Sequence, residues 1–230
     1  MPPAIETQDL IKVYDQGDTQ LTVLNKVNLA VEKGEMLSIM GPSGSGKSTL
    51  LNMLGALDRP TSGKVLINGT DLSTMSDDEL ANLRNREMGF IFQQFNLIHR
   101  MDALNNVILP MAIRNAPRGG RKERARQLLE SVGLGDRLDH KPTQMSGGEQ
   151  QRVAIARSLA NDPNLILCDE LTGNLDSKTG QEIMQLLRKL NVDYGKTFVL
   201  ITHDPTVAEQ TDRLLQIRDG TIAGEKRLRG

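Results

Sequence analysis

The sequence predicts an α/β fold: a mixed or parallel core sheet, with an antiparallel β subdomain before it and an α-helical subdomain set into it. Three observations carry this. Two short apolar runs, LILC at 165–168 and TFVLIT at 197–202, flank a helical stretch with Ile183, Leu186, Leu187 and Leu190 at one-face spacing, and strand, helix, strand reads as parallel sheet. The first 70 or so residues alternate apolar and polar and carry an Asn68-Gly69 turn, which reads as antiparallel hairpin. From about Gln93 to Ala160 the pattern turns helical.

The elements follow in order. Val27, Leu29 and Val31 alternate with polar residues as a half-buried strand does. EMLSIM is a strand candidate, and Leu50, Leu51, Leu54 and Leu57 mark a helix after it. KVLINGTDL is a hairpin; its Asn68-Gly69-Thr70 also matches a glycosylation sequon, a pattern the turn explains. Ser76 with Glu79 forms a capping box ahead of DDELANLRN. Ala125, Leu128, Leu129 and Val132 repeat on one helical face, with Gly133 as a stop. LQIRDGTIAG closes the chain with an Asp219-Gly220 hairpin. One domain over 1–230 is expected, with a core lobe at about 1–92 and 161–230 and a helical lobe at about 93–160.

The formal charge of −1 over 230 residues gives no global basic field to attract nucleic acid; local patches remain open. The single cysteine, Cys168, excludes an internal disulfide framework and fits a reducing compartment. MPPAIETQDL lacks a charged-then-apolar leader, and runs such as VILPMAI fall short of the roughly 20 residues of a spanning helix. A cytoplasmic chain that does not cross a membrane by itself is expected.

GPSGSGKST, residues 41–49, matches G-x-x-x-x-G-K-[ST] through Gly41, Gly46, Lys47 and Ser48, between a strand and a helix. The loop through Pro42, Ser43, Gly44, Ser45 and Thr49 is expected to turn its backbone N–H groups, which Pro42 alone lacks, toward phosphate oxygens at the positive end of the helix. Lys47 would neutralise β and γ oxygens, and the Ser48 hydroxyl would hold Mg²⁺. The alternative is a flexible Gly/Ser loop. LILCDE adds Asp169 and Glu170 at the C-terminal end of a buried strand, where ligands sit in open α/β sheets. Asp169 would orient Mg²⁺ through its water shell, and Glu170, aimed elsewhere, would polarise an attacking water. His203 ends another core strand at the same edge, whereas His99 and His140 have no such context. MSGGEQQRVAIARSLA at 145–160 sets Ser146, Gly147, Gly148 and Glu149 at the start of a second helix, either a further anion site or a plain cap.

Across nearly its whole length the chain resembles the ATP-binding cassette (ABC) ATPases: the phosphate loop, Gln93 in FQQF, MSGGE, LILCDE, GNLD at 173–176 and His203 stand in that family's order and spacing. The resemblance implies ATP and Mg²⁺ as ligands, and roles for matching residues. Tyr14 stacks on adenine, the alternative being strand packing. Gln93 reaches Mg²⁺ and the attacking water, Glu170 is the general base, and His203 links water to the γ-phosphate. Ser146 and Gly148 contact ATP held by a second copy, and Asp176 crosses the same interface, so an ATP-dependent homodimer is implied. Leu171 departs from the family's usual proline and is expected to loosen the turn that aims Glu170. Met145 and Glu149 replace commoner Leu and Gln, with Glu149 bringing negative charge near a phosphate unless it turns away.

The stretch from Gly55 to Met111 looks most like the LolD and MacB group, which implies a separate transmembrane permease of the LolC/E, MacB or FtsX kind that exports lipoproteins, peptides or drugs. The chain would then sit in the cytoplasm, peripheral on the inner face of the cell membrane. Phe95, Leu97, Ile98 and Met101 are expected either to form a groove for the permease or to pack inside the helical lobe. An FtsE-like regulator that signals through a membrane partner is the alternative. Repair and translation ATPases are disfavoured by the single cassette and the absence of heptads, so no nucleic acid is expected as partner.

Overall fold

The computed structural model describes residues 2–17 and 19–229. The chain begins with β1 (Ile5–Gln16), β2 (Thr19–Val31), β3 (Met36–Met40), α1 (Lys47–Leu54), β4 (Ser62–Ile67), β5 (Thr70–Asp71), α2 (Asp77–Glu87) and β6 (Met88–Phe92). Three helices follow, α3 (Ala103–Ile113), α4 (Arg118–Ser131) and α5 (Gly147–Ser158). It closes with β7 (Leu165–Asp169), α6 (Ser177–Tyr194), β8 (Thr197–Ile201), α7 (Pro205–Ala208), β9 (Arg213–Arg218) and β10 (Thr221–Arg227).

The strands divide into two sheets, an antiparallel one ordered β2-β1-β4-β5 and a core one ordered β10-β9-β3-β8-β7-β6. In the core sheet β9, β3, β8, β7 and β6 are parallel neighbours, and β10 closes the edge antiparallel. Asn68-Gly69 and Asp219-Gly220 both turn through positive φ, the backbone a two-residue hairpin requires.

The parallel strands read as unbroken apolar runs because both their faces are buried. Leu165, Leu167, Val199 and Ile201 meet Leu50 and Leu54 of α1 in one core. Ile166, Cys168, Phe198 and Leu200 point the other way and pack on Val153 of α5 and on Ile183 and Leu187 of α6. Each such side chain contributes about 1.5–3 kcal/mol on full burial, and this anchors the strand ends that carry the site. Burial also pushes the Cys168 thiol well above the ordinary range.

Two residues depart from the expected helical pattern. α1 stops at Leu54, Ala56 takes a positive φ, and Leu57 is 47% exposed instead of continuing the helical stripe. Ala160 is buried but lies past the end of α5. No helix among the described residues is long and apolar enough to cross a membrane.

Candidate nucleotide site

The loop between β3 and α1 is held tightly against its neighbours. A Cβ on Gly41 would lie 2.2 Å from the Ile217 carbonyl oxygen, and one on Gly46, at φ 100°, 2.8 Å from that of Val23. Only glycine lets the loop close there. Gly46 also gives α1 no side-chain cap, so the first-turn amides stay open to an anion at the positive helix end. Lys47, 9% exposed, donates to the carbonyls of Gly41 and Pro42 at 2.9 and 2.8 Å. Ser45 Oγ is buried without a partner among the described residues. These features fit a phosphate chain, which needs open amides and one fixed cation.

A cavity of about 490 Å³ stands over this loop, with Ser43, Lys47, Ser48 and Thr49 on one side and Glu170 and His203 on the other. His203 Nδ1 lies 3.2 Å from Glu170 Oε1. Glu170 follows β7 with a φ of 45°, a conformation rare for a residue with a side chain. Hydrogen bonds fix it: its amide donates to Ile201 O at 3.0 Å and its carbonyl accepts from Gly173 at 2.9 Å. The side chain of Leu171, which stands where proline is usual, is buried in the core at 2% exposure. Asp169, half-buried at the end of β7, has its carboxyl raised by burial and by Glu170, with Lys47 opposing. A carboxylate so placed gains from a cation beside it.

Other expected site residues lie outside the walls of this cavity. Tyr14 on β1 donates through its hydroxyl to Asp58 Oδ2 at 2.9 Å, and the Lys12 ammonium sits 4.7 Å from the ring centre. Lys12 also pairs with Asp58 at 2.8 Å. Burial and the Asp58 carboxylate together raise the phenol. Burial works to raise Asp58, but hydrogen bonds from Lys12 and Tyr14 outweigh it and the carboxyl is lowered. Gln93 donates to Asn174 Oδ1 at 3.5 Å, and Asn174 donates to the Gln93 carbonyl at 2.9 Å.

Ser146 caps α5 in a reciprocal capping box, its amide donating to Glu149 Oε2 at 2.8 Å. Glu149 is thus turned onto the helix start and toward Arg137, 3.4 Å away, and the Ser146 amide holds its carboxyl low. Gly148 packs on Thr179, where a Cβ would meet the Thr179 methyl at 2.6 Å. Asp176 caps α6, accepting from the amides of Lys178 and Thr179 and from the Thr179 hydroxyl at 2.6 Å.

Phe95, Leu97, Ile98 and Met101, expected either to form a permease groove or to pack inside the helical lobe, are divided, with Ile98 39% exposed. Leu97 is buried, Phe95 packs on the core, and Asn106 pins Ile98 and Met101 through their backbones. An open groove of about 470 Å³ runs instead past Leu57, Phe90, Leu109, Pro110 and Ile113, with Arg84 and Asn161 on its rim. Sequence reasoning also missed Leu21 and Val23 of β2, which form the apolar wall of the nucleotide cavity. Leu21 and Val23, alternating with Gln20 and Thr22 just ahead of the buried part of the strand, were the available signal.

Comparison with known proteins agrees with this geometry. The ABC transporter family profile matches residues 24–173. An uncharacterized ABC transporter ATP-binding protein of Thermotoga maritima is 55% identical over 99% of this chain and 97% of its own length. The macrolide export ATP-binding/permease protein MacB of a Shewanella strain is 51% identical over 97% of this chain, which spans 34% of that longer protein. Among solved structures, the ATP-binding cassette MJ0796, a Methanocaldococcus jannaschii protein, in a dimeric post-hydrolysis state with ADP and Pi, superposes with a TM-score of 0.91 at 47% identity over 98% of this chain and 99% of its own. With the phosphate loop, Glu170 and His203 gathered in one cavity, the chain belongs to the ABC transporter ATP-binding family.

Proposed function

We propose that this cassette binds Mg-ATP, closes as a homodimer around two nucleotides, and hydrolyses them to drive a separate membrane permease of the export type. The Glu170–His203 pair, standing in the wall of the cavity above the phosphate loop, carries the reading. Amides of Gly44 to Thr49 and the Lys47 ammonium hold the triphosphate, and Tyr14 offers a ring for the adenine. Glu170 takes a proton from water as the water oxygen bonds the γ-phosphorus and the bond to the bridging oxygen of ADP breaks. His203 keeps the carboxylate and the water aligned.

The Ser48 hydroxyl, Asp169 and Gln93 are the residues suited to hold Mg²⁺, which when bound neutralises charge on the phosphate oxygens. No group of three or more His, Cys, Asp or Glu side chains fit to hold a metal occurs among the described residues. That suits an ion taking most of its ligands from phosphate and water.

Ser146 and Asp176 are exposed beside Gly147 and Gly148, and the similar cassette MJ0796 is dimeric, which supports these four contacting nucleotide across a dimer interface. The open groove lies between the helical lobe, taken as about 93–160, and the core lobe, and we assign that groove to a helix of the permease. This places the cassette on the cytoplasmic face of the membrane. Permeases of the LolC/E, MacB or FtsX kind fit the MacB likeness.

Changing Glu170 to Gln tests the reading. Turnover should fall by at least a hundredfold, the scale of a general base, while calorimetry still registers Mg-ATP binding and sedimentation shows an ATP-dependent dimer. Undiminished turnover would sink the assignment of Glu170.

A further inference from the structure

The corner between α3 and α4, residues 113–126 with the sequence IRNAPRGGRKERAR, holds six basic residues and one acidic one, a net charge of +5 in a chain of net charge −1. None of the six is in ion-pair contact with a carboxylate among the described residues, whereas Arg59, Arg137, Arg152, Arg188 and Arg213 all are. Arg114, Arg118, Lys122 and Arg126 are exposed, and nothing in 118–124 is buried, so the first turns of α4 project from the body until Ala125 packs. Ile113 beside them is 64% exposed.

Local rules do not account for this charge. α4 starts at Pro117 with no side-chain cap and no acidic residue in its first turn, although the positive end of a helix favours acids and is weakened by bases. Arg114 and Arg121 are bonded to the carbonyls of Asn161 and Ala116, but the charges of Arg118, Lys122 and Arg126, which cost the helix stability and meet no carboxylate among the described residues, point outward. The corner also continues the groove assigned to the permease, since Ile113 lines both. We propose that this corner rests on the anionic headgroup surface of the bilayer beside the permease, with Ile113 at the headgroup boundary and Arg118, Lys122 and Arg126 against lipid phosphates. The inference rests on the permease-driving reading above. Single-stranded nucleic acid fits less well, because residues 109–131 contain no aromatic side chain for base stacking.

The test is co-sedimentation of the full chain with vesicles of phosphatidylcholine alone or of phosphatidylcholine mixed with the anionic phosphatidylglycerol. Binding should require the anionic lipid and weaken with salt. The R118Q/K122Q/R126Q variant should lose about a hundredfold in partition, while its calorimetric Mg-ATP affinity stays at the wild-type value. Equal binding to both vesicle types, or wild-type partition of the variant, overturns the proposal. So does capture of single-stranded oligonucleotide, abolished in the variant, without vesicle binding. Loss of ATP binding by the unmodified chain would instead strike the cassette reading.

Discussion

The phosphate loop and the MSGGE helix start are both glycine-rich entries to a helix, yet their polar groups are disposed in opposite ways. Around Gly41 to Thr49 the chain leaves needs unmet: α1 has no side-chain cap and Ser45 Oγ is buried and unpartnered among the described residues. At Ser146 to Glu149 every comparable need is met internally, by a capping box and by the Arg137 contact, and Asp176 nearby is spent capping α6. The first region stores cost that a ligand relieves. The second has its helix start satisfied before any ligand arrives, although Gln151 further along α5 is buried with its amide unpartnered among the described residues. Substitutions should therefore act mainly on binding in the first region and on stability in the second.

Lys47→Ala should show the largest effect. It removes the one fixed cation of the loop, and charge-assisted bonds to phosphate of this kind carry about 1.5–3 kcal/mol. Mg-ATP affinity by calorimetry should fall about a hundredfold with the fold retained by circular dichroism; intact affinity would erase the contrast between the regions. Ser146→Ala should come next. Losing the cap costs about 1 kcal/mol, or roughly 2–4 °C in melting temperature for a chain of this size, and in a Glu170→Gln background the ATP-dependent dimer should weaken. A variant that melts normally would mean the capping box is not what holds that helix start.

Tyr14 sharpens the comparison, since it belongs to the ligand-facing group yet is tied within the chain. Tyr14→Phe and Asp58→Asn should each weaken ATP binding about threefold, a hydrogen-bond-scale effect, and the double variant should be no worse than either. Affinity for inorganic tripolyphosphate should not move. Additive losses would show that Asp58 does not act by orienting the ring.

The smallest effect is expected at Glu149→Gln. The Ser146 amide holds this carboxyl below its ordinary value, so its stabilisation is present above the unfolded range near pH 4.3 and is lost as pH falls through the folded value. Wild type should melt above the variant by about 1–3 °C at pH 7, and the two curves should converge in acid. A gap that persists at low pH would assign the effect to packing instead of charge.

Much of this molecule was legible in its residues. The two sheets, the Asn68-Gly69 and Asp219-Gly220 turns, the box at Ser76 and Glu79, and the meeting of Lys47 with Glu170 and His203 follow from periodicity and from strand ends that share one sheet edge. Leu57 was misread, and the Phe95 to Met101 stretch was left between groove and packing, because periodicity records only neighbours along the chain. The positive φ at Ala56 and the Asn106 bonds to residues 98 and 101 decide which apolar side chains remain outside.

What the sequence determined by itself is local: which segments are strands, which turns need glycine, and which amides are free for phosphate, since backbone sterics and side-chain spacing act over a few residues. Tertiary structure alone decided the partners. It gave Tyr14 to Asp58 and Lys12, Glu149 to Arg137, and left the basic residues of the α3–α4 corner without a carboxylate. A charge finds its counterpart through space, and the distances that set those energies exist only after the chain has packed.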